Sequence, residues 1–132
     1  MPANHQVDTN ARIIFTTWEG DATDAELYEA LKLYYENIRS KPEYSDYDEV
    51  VSFSNVAAVK VTAKGMMDLA KLASSSDQPG VSTKLAFVTN STLARSFANL
   101  YATYRNVILK TGKTIRVFGN DENALKWVST DS

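Results

Sequence analysis

Few residues in this chain have the type and spacing that chemistry needs. It has no cysteine and a single histidine, His5. That excludes disulfides, thiolate nucleophiles, zinc fingers and cysteine-held iron–sulfur clusters. A Ser–His–Asp triad or a histidine metal site would have to be built on His5, in a polar N-terminal segment where chain ends fray. The glycines at 20, 65, 80, 112 and 119 stand singly, so neither a phosphate loop nor a dinucleotide fingerprint is present. A Gly-x-Ser-x-Gly nucleophile elbow is absent too. Glu19, Asp21, Asp24 and Glu26 form an acidic cluster that could serve acid–base work or a hard cation. Acids at a helix start are, however, what the helix dipole favours by itself. The expectation is a non-enzymatic protein with no cofactor and no metal.

Binding chemistry has better candidates. Ser54 and Asn55 follow one apolar run; Thr89, Asn90 and Ser91 follow another and open directly into a helix bearing Arg95. In open α/β sheets ligands lie beyond the carboxyl ends of the strands, near a change in strand order. Free N–H groups at a helix start, with Arg95 nearby, suit a carboxylate or phosphate. These six residues are the ligand-binding candidates. Thr62 heads another helix, where a hydroxyl serves as an N-cap. Tyr28 and Tyr35 lie off the apolar stripe of the first helix and are candidates for an exposed partner face.

Charge is divided unevenly. Of 132 residues, 44% are hydrophobic and 23% charged, with a net charge of −2. Residues 1–77 carry 13 acids and 7 bases, whereas residues 78–120 carry 6 bases and no acid. Arg95, Arg105, Lys110 and Lys113 are the candidates for a face that docks on an anionic partner or membrane surface, with Lys84 and Arg116 as neighbours. The bases are too spread out for a nucleic-acid stripe. The opposed segments and the off-stripe tyrosines favour a homodimer, the commonest closed assembly. No run of apolar residues is long enough to span a membrane and no leader-like apolar segment opens the chain, so the cytoplasm is the expected compartment.

The elements that must position these residues follow from periodicity. Ala11–Glu19, Glu49–Ser54, Thr83–Thr89 and Thr114–Phe118 read as strands. Thr23-Asp-Ala-Glu26 is a capping box, followed by Leu27, Leu31, Tyr34 and Ile38 at helical spacing. Met66, Leu69, Ala70 and Ala73 form one face of a second helix. Leu93, Phe97, Leu100, Tyr101, Tyr104, Val107 and Ile108 mark a long third one, and Ala124, Leu125 and Val128 a short fourth. The alternation predicts an α/β fold, an open, mixed, mostly parallel sheet of about five strands with about four helices. Residues 1–10 form a flexible segment or an edge strand, and residues 11–129 the domain. Val51, Phe53, Phe87, Phe97, Leu100, Tyr104 and Ile115 are the expected core.

Several pieces, taken in order, resemble a known family. Gly20 precedes Thr23 and the first helix. Pro42-Glu-Tyr44 precedes Val50-Val-Ser-Phe53, and Lys84-Leu-Ala-Phe-Val88 leads into the aromatic helix. Val117-Phe118 is followed by Ala124-Leu-Lys-Trp127-Val128. From about Ala11 to Val128 the chain is similar to SpoIIAA-like proteins of the STAS and SEC14-like (CRAL-TRIO-like) group. The resemblance implies a non-catalytic regulatory or protein-interaction module. Its SEC14-like side implies instead a small-ligand or lipid-binding domain with reversible membrane-surface association. In the group's anti-sigma-factor antagonists an Asp-Ser pair opens the second helix and the serine is phosphorylated. Here that turn reads Val59-Lys-Val-Thr62-Ala-Lys-Gly65, which leaves Thr62 as the regulatory candidate. An apolar cavity under the third helix favours the ligand reading; a closed core with an exposed aromatic patch favours the interaction reading.

Overall fold

Five strands form one sheet in the order β1-β2-β3-β4-β5 in the computed structural model, which describes residues 2–76, 80–108 and 112–130. They are β1 (Ala3–Asp8), β2 (Ile13–Thr23), β3 (Asp48–Lys60), β4 (Thr83–Val88) and β5 (Lys113–Phe118). β1 pairs antiparallel with β2, and every later pair is parallel. The helices are α1 (Asp24–Tyr34), α2 (Ala63–Ser75), α3 (Thr92–Thr103) and α4 (Asp121–Val128). The N-terminal segment is thus an edge strand, and His5 sits inside a paired ladder opposite Thr16.

Each parallel step moves to the next strand in the same direction. Right-handed crossovers therefore put α1, α2 and α3 on one face of the sheet. α4 follows the last strand and covers the other face, where Ala124 and Val128 pack on Val50, Ala86 and Val88. The helix-covered core joins Met66, Leu69, Ala70 and Ala73 of α2 to Leu85, Tyr101 and Ile115. Thr23, Thr62, Ser91 and Asn120 cap the four helices, each accepting a backbone N–H with its side chain.

Two elements run further than their patterns indicate. β2 and β3 pair past Gly20 as far as Thr23 and Lys60, through register shifts on either side of Gly20, whose φ is +86°. A bulge that needs a left-handed residue lets a strand pass through a glycine. α1 and α3 each end in a π-helical segment, Tyr35–Arg39 and Tyr104–Ile108.

Of the expected core residues only Ile115 is sealed; Val51, Phe53, Phe87, Phe97, Leu100 and Tyr104 stay partly exposed. On α3 the buried row is Ala94, Ala98, Tyr101 and Ala102, while Leu93 and Val107 point outward. Small side chains at the centre of a helix face leave space between the larger groups that flank it.

Candidate functional site

That space is a cavity of about 150 Å³ between the sheet and α1, α2 and α3. Its sheet wall is Thr16, Trp18, Val51, Phe53, Leu85 and Phe87. Its helix wall is Leu27, Ala30 and Leu31 of α1, Met66 and Leu69 of α2, and Ala94, Phe97, Ala98 and Tyr101 of α3. The extended β2–β3 ribbon supplies Ala22, Val56 and Val59 at one end. Val51, Phe53, Phe87 and Phe97 are partly exposed because each turns part of its surface to this space. Phe87 meets Tyr101 edge-on with centroids 5.3 Å apart and lies 6.0 Å from Phe53.

The polar groups of the cavity are turned toward one another. Glu49, buried at the start of β3, shares its strand face with Val51 and Phe53. It accepts a hydrogen bond from the Tyr34 hydroxyl at 2.6 Å and another from Lys113, and Arg39 stands 3.7 Å away. Burial alone would raise its pKa. The charges of Lys113 and Arg39, with hydrogen bonds from Lys113 and Tyr34, outweigh that and hold it at about 2. Burial, reinforced by the Glu49 charge, pushes the Tyr34 phenol well up, so it remains a donor. His5 Nδ1 lies 2.7 Å from Thr16 Oγ1, and its ring packs on Tyr34 at 4.8 Å. Burial lowers the His5 pKa, against a smaller upward pull from Glu49. Arg39 also donates to the carbonyls of Tyr44, Tyr47 and Ser45, so the first π segment ties the β3 entry to the cavity floor.

A shallower groove of about 180 Å³ runs between β1 and the outer side of α1. It shares Ala3, His5, Ala30 and Tyr34 with the cavity. Each space is smaller than the roughly 300 Å³ at which ordinary ligand pockets begin.

The strand-end candidates do not assemble into a site. The strand order never reverses, so there is no switch-point crevice. β3 continues through Ser54 and Asn55, leaving the first half-buried beside Ser52 and the second exposed. Thr89 is buried, donates its N–H to the Phe118 carbonyl and accepts from the Ser91 N–H. Ser91 caps α3, and Asn90 and Arg95 are exposed. None of the six lines the cavity. Thr62 is exposed, but its hydroxyl is engaged by Asp24 and by the Gly65 N–H.

The basic docking face is likewise corrected. Arg105 is fully buried and donates to the Tyr101 hydroxyl at 2.8 Å; Lys113 is buried against Glu49. Arg105 continues the buried row Ala94, Ala98 and Tyr101 at helical spacing, and Lys113 shares a strand face with Ile115. Phase therefore sends both inward. Lys84 and Arg116 lie over the Trp127 ring, and Lys84 also donates to the Trp127 and Thr130 carbonyls at the end of α4. Lys110 lies outside the described residues. Tyr35 is no exposed partner residue: it follows Leu27 and Leu31 at four-residue helical spacing and lines the cavity with them, whereas Tyr28 is exposed. Glu49, Arg39 and Thr16 escaped the sequence reading, which placed Tyr34 on the apolar stripe of α1 and set His5 aside in a fraying segment. The signal for Glu49 was a carboxylate in phase with Val51 and Phe53 on an otherwise apolar strand face.

Among the described residues no helix is long and apolar enough to cross a membrane. No protein-family model matches the chain, and no curated protein matches it. Among solved structures, it is similar to an uncharacterized protein of the DUF3478 family with a SpoIIAA-like fold from Shewanella loihica PV-4. The identity is 10%, the match covers 96% of this chain and 91% of that one, and the TM-score is 0.58. The chain therefore has the SpoIIAA-like fold: a five-stranded, mostly parallel mixed sheet with four helices.

Proposed function

We propose that this protein is a non-catalytic binding domain that takes a small apolar or lipid-like molecule between its sheet and helices α1 to α3. The cavity carries this reading. About 150 Å³ of apolar space stands where a sealed core would otherwise lie, and an apolar cavity of that size accepts a molecule such as benzene. Left empty, it forfeits about 3–4 kcal/mol of packing at the usual cost per volume. A ligand that fills it recovers part of that, so binding and stability are linked.

A regulatory output is the second reading. α1 places Leu27 and Leu31 on the cavity and Tyr28, 41% exposed, on the outside. One helix thus touches both the ligand and a partner-facing surface.

Native mass spectrometry of the purified protein tests the ligand reading, together with thermal unfolding in the presence of short alkyl and aromatic compounds. The expected result is a retained small-molecule mass or a raised Tm that Ala98→Leu abolishes. Only the apo mass, with no compound raising Tm, would leave the interaction reading alone.

A further inference from the structure

The two edges of the sheet are finished differently. In an antiparallel pair, successive residues of a strand turn their N–H and C=O groups alternately toward the partner and away from it. The Glu19 N–H bonds to the Pro2 carbonyl at 2.8 Å, which fixes the phase. Asn4, Gln6 and Asp8 bond to β2, and Ala3, His5 and Val7 turn their backbone groups to the open edge. Among the described residues none supplies those groups with a partner. At the opposite edge the Asn106 side chain stands in for a strand. Its amide donates to the Ile115 carbonyl at 3.0 Å, and its oxygen accepts the Ile115 N–H at 3.1 Å. β5 is thus blocked at its centre. β1 carries no lysine, proline or bulge to keep its edge unpaired, and its one acid, Asp8, is turned to the N–H groups of Asn10 and Ala11.

The strand also complements itself. Antiparallel pairing that uses all three open residues has one register: His5 faces His5 of a second copy on the two-fold axis, and Ala3 faces Val7. Each pair exchanges both backbone bonds. Asn4 then stands against Gln6 of the copy, on both sides of the axis, where opposed side chains come closest; each amide both donates and accepts. No like charges are opposed at neutral pH, since burial lowers the His5 pKa and leaves the ring neutral. Opposed residues share a sheet face. Ala3 and Val7 of the copy therefore come to the side of the groove between β1 and α1, lined by the apolar Ala30, Leu33 and Ile38. We infer that the protein forms a two-fold dimer in which β1 pairs antiparallel with β1 of a second copy, joining two five-stranded sheets into one. The contact is isologous, so it closes at two copies, and it leaves no open edge at β1.

Sedimentation velocity of the full chain, from micromolar to high-micromolar concentration at neutral pH, is expected to show a monomer–dimer equilibrium. Asn4→Lys with Gln6→Lys sets like charges directly opposite each other on both sides of the axis, at side chains that are exposed in the single chain. It should weaken dimerisation roughly tenfold. Circular dichroism in dilute solution should match the wild type, which certifies the fold. Asn90→Lys with Asn99→Lys adds the same charge at exposed positions away from β1 and should keep the dimer. Mixing the β1 lysine variant with Asn4→Glu, Gln6→Glu should restore dimers as heterodimers, because lysine then opposes glutamate. Amide hydrogen exchange of the wild type reads the seam itself. The Ala3, His5 and Val7 N–H groups should slow as concentration rises, whereas those of Asn4 and Gln6, already bonded to β2, should change less. A monomer at every concentration, a dimer that the β1 lysines leave intact, a charge-swapped mixture that does not associate, or edge amides that stay fast in the dimer would overturn the inference.

Discussion

Asp24 and Thr62 clasp the first turns of α1 and α2 together. One carboxylate oxygen accepts the Thr62 N–H at 3.0 Å and the other accepts its hydroxyl at 2.7 Å. The same hydroxyl accepts the Gly65 N–H at 3.0 Å, so it caps α2 and anchors α1 at once. The carboxylate lies between two helix N-termini, where the dipoles favour it. A phosphate on Thr62 would set a second anion against Asp24 and pull the clasp apart. Leu27 and Met66, three residues after Asp24 and four after Thr62, both line the cavity.

Gly65 is the space that the clasp occupies: a Cβ there would collide with the Asp24 carboxylate. Gly65→Ala is expected to cost about 1–3 kcal/mol, as overpacking does. Beside Asp24→Ala the same change should be neutral or stabilising, because alanine outranks glycine in a helix by about 0.5–1 kcal/mol. Denaturant unfolding of the two single variants and the double variant measures this. Strict additivity would refute the clash.

Acid should unfold the protein through Glu49. Its folded pKa of about 2 lies below the ordinary 4.5. Its stabilisation is therefore complete above the ordinary value and is lost as pH falls through the folded one. Glu49→Gln should flatten the stability profile in that window. At neutral pH it should cost about 3–5 kcal/mol, because Lys113 loses its buried partner. Denaturant midpoints measured across the acid range would show both effects.

Cavity walls should tolerate truncation better than sealed positions. Phe97→Ala enlarges an existing space and is expected to cost about 1–3 kcal/mol, below the 3–5 kcal/mol usual for a buried phenylalanine. Ile115→Ala, 3% exposed in the sealed part of the core, should cost about 2–5 kcal/mol. Ala98→Leu should stabilise the unliganded protein by about 0.5–2 kcal/mol, as cavity filling commonly does. A Phe97→Ala cost equal to that of a sealed phenylalanine would place the ring in a closed core.

The two arginines of the third-helix region should separate cleanly. Arg95→Ala is expected to change stability by less than about 0.5 kcal/mol. Arg105→Ala removes a fully buried side chain and its hydrogen bond to Tyr101, and should cost about 3 kcal/mol or more. Thermal unfolding of the two variants decides between this placement and a solvated basic face.

Legible in the sequence were the alternation of strands and helices, the caps at Thr23 and Thr62, the buried face of α2 and the parallel character of the sheet. Those features rest on spacing within one segment, which is local information. It could not decide which faces meet. Alanines at 30, 94 and 98 read as ordinary helix formers until the sheet brings Phe53 and Phe87 opposite them, and only then do they define a cavity. Arg105 and Lys113 read as surface charge until helix phase and strand register turn them inward, where Lys113 meets Glu49 across 64 residues of chain. The expected strand-end site failed for a similar reason. A ligand crevice there needs a reversal of strand order, which is a property of the assembled sheet, and the order β1-β2-β3-β4-β5 never reverses. Burial, and with it the pairing of charges and the volume left between layers, is fixed only when distant segments pack.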